Sequence, residues 1–429
     1  MRLPDTLPEW LKFIENRHVK AIDLGLDRVG DVLSRLDFRR DCPVITVGGT
    51  NGKGSTCAIL ESILHCAGYR VGLYTSPHLV RYNERVRICG REVSDEALCA
   101  AFRAVETARG ATSLTYFEYG TLGALWLFGR SSLDAMILEV GLGGRLDAVN
   151  AIDTDCAVIT SVDLDHMDIL GETRDLIGGE KAGIFRSGKP AVVALSEPPD
   201  SVVAAANACG ATLLQLSRDF GFARESTQWW SYWGPSGARH GMAFPALRGQ
   251  LQLRNASAAL CALDSVRGRL PISMSEVRNG LANVALPGRF QVVPGRPQII
   301  LDVGHNPEAA RALRENLANS HYAPNTRVVM GMMKDKDMRG VVSELALVVD
   351  SWHLTALPST RAATPEQLAD IVRESAPGVP YSLHDNPIEA LCKAKAEAQP
   401  DDKILVFGSF LTVGAVLAEL DVKRGVSDG

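Results

Sequence analysis

No run of apolar residues approaches the roughly 20 needed to cross a bilayer, so no membrane-spanning helix is expected. The opening stretch MRLPDTLPEWLKF has neither an apolar signal core nor a small-residue cleavage site. C-x-x-C pairs are missing: nine cysteines, an odd number, are scattered from Cys42 to Cys392. In a long chain without an export signal such thiols read as reduced and mostly buried, which argues against a disulfide framework or a structural zinc. The expected compartment is the cytoplasm. There is also no basic excess, since 45 Lys and Arg stand against 50 Asp and Glu for a net charge of -5. That balance speaks against a nucleic-acid binder, though small anionic ligands remain open to local groups. Neither a repeat of solenoid period nor a heptad seam is present, and a monomer is the expectation.

What is present suits an enzyme. At 429 residues the chain exceeds the size at which one core usually splits, and 46% hydrophobic residues supply two cores. Residues 43–47 and 70–74 read as strands, 191–195 is a further candidate, and the apolar runs 133–140 and 156–162, bounded by turn residues, read as strands buried on both faces. Helical segments separate them, the first over 55–67. Residues 225–249 change character, with Trp229, Trp230 and Trp233 among Gly, Ser and His, and read as an antiparallel appendage or a long excursion; the helix 255–268 follows. Prolines and a glycine in 286–294 mark a hinge between domains. A second series comes next, with strands at 298–303, 327–330, 351–355 and 403–407 and a helix over 308–319. The predicted class is α/β: an N-terminal P-loop-type domain, residues 1–288, whose mainly parallel sheet has helices on both faces, then a smaller Rossmann-like α/β domain, residues 289–429.

The sharpest motif is Val44-Ile-Thr-Val-Gly-Gly-Thr-Asn-Gly-Lys-Gly-Ser-Thr56. A strand runs into a glycine-rich turn and then a helix. Backbone N–H groups of Thr50, Asn51, Gly52, Gly54 and Ser55 can converge on a phosphate chain, the helix N-terminus adds partial positive charge, and Lys53 supplies a full one. Ser55 or Thr56 can hold magnesium. The pattern departs from G-x-x-x-x-G-K-[ST]: Val47 stands at the first glycine position, and Gly54 separates Lys53 from Ser55. This variant, Gly49-Thr-Asn-Gly-Lys-Gly-Ser55, resembles the nucleotide loop of the Mur ligase superfamily, in its folylpolyglutamate synthase/dihydrofolate synthase branch. The resemblance recurs in order along nearly the whole chain.

It implies roles for further residues, each with a structural alternative. Glu139 ends a buried strand before Gly141-Leu-Gly-Gly-Arg-Leu-Asp147, where a nucleotide's magnesium is usually held; alone it could be a loop acid. His166 of Asp163-Leu-Asp-His166 resembles the ligand of a second magnesium, with Asp165 orienting its ring. Ser76 of Thr75-Ser-Pro-His78 matches a third metal ligand, although on residues alone it is a turn. Lys181 of Glu180-Lys-Ala-Gly-Ile184 resembles a lysine carbamylated in the family; unaided, it is a solvated helix lysine. Asn255 resembles an ATP contact and is otherwise an N-cap. Arg289, which could simply be exposed, Asp302 and His305 resemble the other ATP contacts, Asp302 at a strand end on or near the ribose. Asp23 and Leu24 of Ala21-Ile-Asp-Leu-Gly-Leu-Asp-Arg-Val29 resemble a segment contacting dihydropteroate, and otherwise begin an amphipathic helix. Thr115, Tyr116, Phe117 and Glu118 resemble the second pterin string, and otherwise form a buried aromatic strand; Leu146, Asp147 and Ala148 add to it.

The resemblance thus implies an ATP-dependent ligase. It joins L-glutamate to dihydropteroate and extends the glutamate tail of folates through an acyl phosphate, using ATP, two Mg2+ ions and a monovalent cation such as K+. Lys53, His166 and Lys181 would carry catalysis, and closure about 286–294 would exclude water. The alternatives are elongation alone, a P-loop ATPase switch without ligase function, and a cell-wall Mur ligase. The last is disfavoured because no uridine-binding domain precedes the loop at residue 49.

Overall fold

The computed structural model describes residues 3–20, 22–249 and 251–427. Two compact units divide it. The first runs up to His78 and includes Tyr82–Ala246 and Leu253–Val284; the second holds Leu79–Arg81, Leu247–Gln252 and the chain from Ala285 onward.

In the first unit the apolar runs form an eight-stranded sheet. Its strands are β1 Val44–Gly48, β2 Val71–Tyr74, β3 Val86–Ile88, β4 Arg91–Glu92, β5 Ala135–Glu139, β6 Cys156–Ile159, β7 Pro190–Val193 and β8 Thr212–Gln215. They lie in the order β4-β3-β2-β5-β1-β6-β7-β8. From β2 to β8 every pairing is parallel, and β3 and β4 add an antiparallel edge. Every residue of β1, β2, β5 and β6 is buried, which is why these strands read as continuous apolar runs rather than alternating ones. One large core joins sheet and helices, with Trp10, Phe102, Tyr119 and Phe128 among its fully buried rings. The tryptophan-rich stretch forms a separate antiparallel sheet, β9 Gly221–Arg224, β10 Trp229–Gly234 and β11 Gly237–Ala243, the first of the two readings its composition left open.

The second unit carries β12 Gln291–Val293, β13 Gln298–Asp302, β14 Thr326–Met330, β15 Ser351–Thr355, β16 Tyr381–His384 and β17 Lys403–Phe407. Their order is β12-β13-β17-β14-β15-β16, parallel from β13 to β16 with β12 antiparallel at one edge. The α/β class is as expected for both units. β12 falls inside the stretch read as a hinge: Gln291-Val-Val293 pairs with Leu301-Ile-Ile299, so sheet pairing overrides the turn signals on either side.

Three local readings need correction. Residues 115–120 are not a strand: Thr115 caps the helix Tyr116–Phe128, accepting the Glu118 N–H at 3.2 Å while the Glu118 carboxylate accepts the Thr115 N–H at 2.7 Å. This reciprocal capping box outweighs the β propensity of the aromatics. In the segment from Ala21 to Val29, Ala21 lies outside the described residues, and the helix starts only at Asp27, leaving Ile22–Leu26 as a loop. Asn255 does not open its helix, which begins at Leu251.

Candidate active site

Because β1, β5 and β6 are parallel neighbours, the loops after them emerge at one edge of the sheet. The glycine-rich loop after β1 is tied to the end of β6. Thr50 N donates to Ser161 O and Asn51 N to Ser161 Oγ, both at 2.9 Å, and Thr160 Oγ1 donates to Asn51 O at 2.6 Å. Gly52, in the left-handed region at φ 87°, turns the chain into the helix Lys53–Cys66, where Ser55 and Thr56 are buried in the first turn. The leading N–H groups of any helix have no acceptor within it, so this end is suited to an anion. Lys53 Nζ folds back onto the loop, donating to Gly49 O at 3.0 Å and Thr50 O at 3.1 Å.

The buried side chain of Asn255 reaches this turn: a Cβ on Gly52 would lie 2.6 Å from Asn255 Oδ1. Its place within the helix Leu251–Ser265, not a capping role, aims it at the loop. Gly52→Ala is expected to lower stability by about 1–2 kcal/mol from the left-handed φ alone, and to displace Asn255. Thermal denaturation and the KM for ATP, the second rising about tenfold or more, check both parts.

Glu139, at the end of β5 and opposite Val47, is buried beside this loop. Ser76 N donates to Glu139 Oε2 at 3.2 Å, so the turn after β2 reaches the same edge. His166 follows β6 in the left-handed region at φ 51° and heads the short helix Met167–Leu170. Asp165 lies beside it: its Oδ2 is 3.9 Å from the imidazole Nε2, and its Oδ1 accepts the His166 backbone N–H at 3.0 Å.

Lys181 is not solvated. It lies in the last turn of the helix Arg174–Ala182 and is only 4% exposed. Burial, and then the nearby Lys53 ammonium, push its pKa down to about 7 against the opposing pull of Asp165. The two motifs on either side of it meet directly. A Cβ on Gly144 would be 2.8 Å from the carbonyl oxygens of Glu180 and Lys181, and Arg145 N donates to Glu180 O at 2.8 Å. The Gly-Leu-Gly-Gly-Arg loop thus lies flat on the end of the lysine's helix.

Asp147 accepts three backbone N–H groups of this loop, from Gly141, Leu142 and Val149, at 2.9–3.0 Å. Burial nevertheless raises its carboxyl to about 6, with those amides and Lys53 opposing. The turn commits both its oxygens, and Leu146 O accepts from Gly25 N at 3.3 Å; Ala148 is buried.

The two predicted pterin strings are brought together, by a residue whose role was not read from the sequence. Arg28 Nη1 lies 2.7 Å from Asp23 Oδ2, and Nη2 lies 2.9 Å from Glu118 Oε1. On the far side His18 Nε2 meets Asp23 Oδ2 at 3.1 Å and Nδ1 meets Ser113 Oγ at 3.0 Å. A carboxylate only accepts, so in the neutral ring Nε2 carries the proton and Nδ1 takes the Ser113 hydroxyl hydrogen. Arg28 stands within the quoted 21–29 segment, but only the fold shows that its partner is 90 residues away. Tyr116 and Phe117 are half-buried and Leu24 is partly exposed.

In the second unit Asp302 ends β13. Its oxygens accept the N–H groups of Phe290 at 2.9 Å and Gly304 at 2.8 Å, and burial raises its carboxyl despite Arg289. Arg289 is half-buried rather than exposed, its guanidinium 5.4 Å from the Phe410 ring centre. His305 Nδ1 is 3.0 Å from Val303 O. Arg289, Asp302 and His305 thus share one end of that sheet.

Among the described residues no three His, Cys, Asp or Glu side chains gather as a metal-holding group, and no helix is long and apolar enough to cross a membrane. The donor set at the first sheet edge is one buried carboxylate with hydroxyls. That suits magnesium, which binds through one or two carboxylates and completes its shell with water and phosphate oxygens.

The Mur ligase middle domain matches residues 47–263, and the glutamate ligase domain of Mur ligases matches residues 288–410. A dihydrofolate synthase/folylpolyglutamate synthase of Escherichia coli K12 is 45% identical over 97% of this chain and 96% of its own. An E. coli FolC structure with DHPP and ADP superimposes with a TM-score of 0.92 at 45% identity, covering 98% of this chain and 99% of that one. A bifunctional folylpolyglutamate synthase/dihydrofolate synthase with Mn, AMPPNP and L-glutamate bound gives 0.89 at 44% identity, covering 97% and 98%. The chain belongs to the dihydrofolate synthase/folylpolyglutamate synthase family of Mur ligases.

Proposed function

We propose that this chain is an ATP-dependent ligase that joins L-glutamate to dihydropteroate and lengthens the glutamate tail of folates. The observation that carries this reading is the convergence at one sheet edge of the glycine-rich loop with Lys53, the buried Glu139 and the Ser76 turn. Residues 1–288 would form the ATP-binding domain with its pterin site and residues 289–429 the second ligase domain. A reduced, cytoplasmic setting is supported by nine cysteines that are all free thiols.

The chemistry follows from the groups. A carboxylate oxygen of the acid attacks the γ-phosphorus of ATP, the bond to the β–γ bridging oxygen breaks, and ADP leaves behind an acyl phosphate. The neutral amine of glutamate then attacks the acyl carbon, loses a proton and expels inorganic phosphate. Phosphoryl transfer asks the protein chiefly for alignment and charge neutralisation. Thr50, Asn51, Gly52, Gly54 and Ser55 supply amides for the phosphates, and Lys53 exchanges its two carbonyl contacts for phosphate oxygens. Asn255 reaches the same turn from the helix Leu251–Ser265, and Arg289, Asp302 and His305 are the second unit's proposed ATP contacts. Ser55, Ser76 and Glu139 would hold one Mg2+ and His166 a second; when bound, these ions offset charge on phosphate and carboxylate. Asp23, Leu24, Thr115, Tyr116, Phe117, Glu118 and the loop 146–148 make the pterin site. Lys181, carbamylated, adds a negative charge that orders the metals.

Product analysis is the test, with dihydropteroate and tetrahydrofolate each offered separately with ATP and glutamate. Glutamylated product from both supports the full reading. Product from tetrahydrofolate alone reduces it to elongation, and ADP release independent of acid and glutamate removes it.

A further inference from the structure

Buried cations are normally paired, because desolvating an unpaired charge is costly. Arg85 departs from this. It is 9% exposed, yet among the described residues no carboxylate lies within ion-pair distance of its guanidinium. Its Nε donates instead to His78 Nδ1 at 2.9 Å. Because Nδ1 accepts that N–H, it carries no proton in this arrangement, and the imidazole holds the guanidinium without adding charge. Two aromatic rings complete the surroundings: the guanidinium carbon is 5.2 Å from the Tyr82 ring centre and 5.6 Å from that of Tyr116.

The position matters as much as the missing partner. Thr75 N donates to Arg85 O at 2.9 Å, which fixes Arg85 beside the turn that carries Ser76 to Glu139. Tyr116, on its other side, belongs to a pterin string. A cation held by a neutral acceptor and two rings, between the proposed phosphate edge and the proposed acid site, is placed to receive an anion.

Resting on the ligase reading above, we propose that Arg85 binds a substrate carboxylate, with His78 as the positioning residue that aims its guanidinium. The two sources of such a group are the acid to be activated and glutamate.

The test is steady-state kinetics on Arg85→Gln and Arg85→Lys, with ATP, acid and glutamate varied in turn, beside thermal melting of each protein. The KM for one carboxylate substrate rises about 10- to 100-fold in Arg85→Gln, the loss of one charge-assisted hydrogen bond or pair of them. The affected substrate identifies the source. The KM for ATP stays within about twofold, and Arg85→Lys recovers part of the loss. Melting temperature falls little in Arg85→Gln, because only the hydrogen bond to His78 and two ring contacts are lost and no carboxylate is left buried without its cation. Unmoved KM values for acid and glutamate, an equal rise for ATP, or an unstable Arg85→Gln protein would each overturn the assignment. Wild-type protein without acid- and glutamate-dependent ADP release would instead sink the ligase reading, and Arg85 with it.

Discussion

Lys53→Ala abolishes turnover and leaves the fold standing. The ammonium donates to two carbonyls of its own loop, Gly49 O and Thr50 O, so truncation leaves the strand, turn and helix of the loop in place. In the proposed reaction its work is electrostatic: an anionic acid must approach an anionic γ-phosphate, and a preorganised cation is strongest in a site shielded from water. Removing one such interaction typically costs roughly 100-fold or more in rate. A second effect adds to it. The Lys53 charge helps depress the Lys181 amine, so without it Lys181 returns toward its ordinary value and is less often neutral. Coupled ADP release with a parallel circular-dichroism melt checks the prediction. Near-normal kcat in a folded Lys53→Ala protein would remove the phosphate-loop assignment.

Lys181→Met is expected to lose activity by a similar factor while gaining stability, an opposition that separates a functional lysine from a structural one. The amine is buried and its pKa falls from the usual lysine range to about 7. Between those two values the unfolded chain holds a proton that the folded chain has released. Burial therefore destabilises the fold, fully below about pH 7 and less and less as pH rises toward the ordinary lysine pKa. Methionine removes that penalty, so the melting temperature of the variant exceeds wild type at neutral pH and the difference closes at alkaline pH. The same lowered pKa makes the amine nucleophilic toward carbon dioxide: nitrogen attacks carbon, a proton leaves, and a carbamate forms reversibly. At fixed dissolved carbon dioxide its occupancy rises as pH passes upward through about 7. Native mass spectrometry should show one carbon dioxide on wild type and none on Lys181→Met, and wild-type activity should fall reversibly in degassed buffer. Full activity of Lys181→Met would refute the role.

Much of the scaffold could be read before any coordinates. Runs such as Val44–Gly48 and Ala135–Glu139 are apolar throughout because parallel strands with covered faces have no solvent side, and that pattern is local. Other elements are silent for equally physical reasons. The edge strand Tyr381–His384 is short and polar, with an exposed first residue, so nothing in its composition separates it from a loop. The helix Tyr116–Phe128 did carry a legible signal, the Thr-x-x-Glu box, but the aromatics beside it pointed toward a strand. Residues around Lys181 read as the polar face of a helix, since burial there comes from the Gly141–Asp147 loop, some 35 residues earlier in the chain.

Residue types and their spacing alone determined the α/β class, the glycine-rich loop with its lysine, and the candidate acids at strand ends. These rest on backbone geometry and hydrogen-bonding periodicity, which act over a few residues. Tertiary structure alone decided that Arg28 joins Asp23 to Glu118, that Asn255 reaches Gly52, that Lys181 is dry, and that Arg85 is buried with no carboxylate partner among the described residues. Burial and charge pairing depend on what distant segments bring alongside, and no local pattern encodes that.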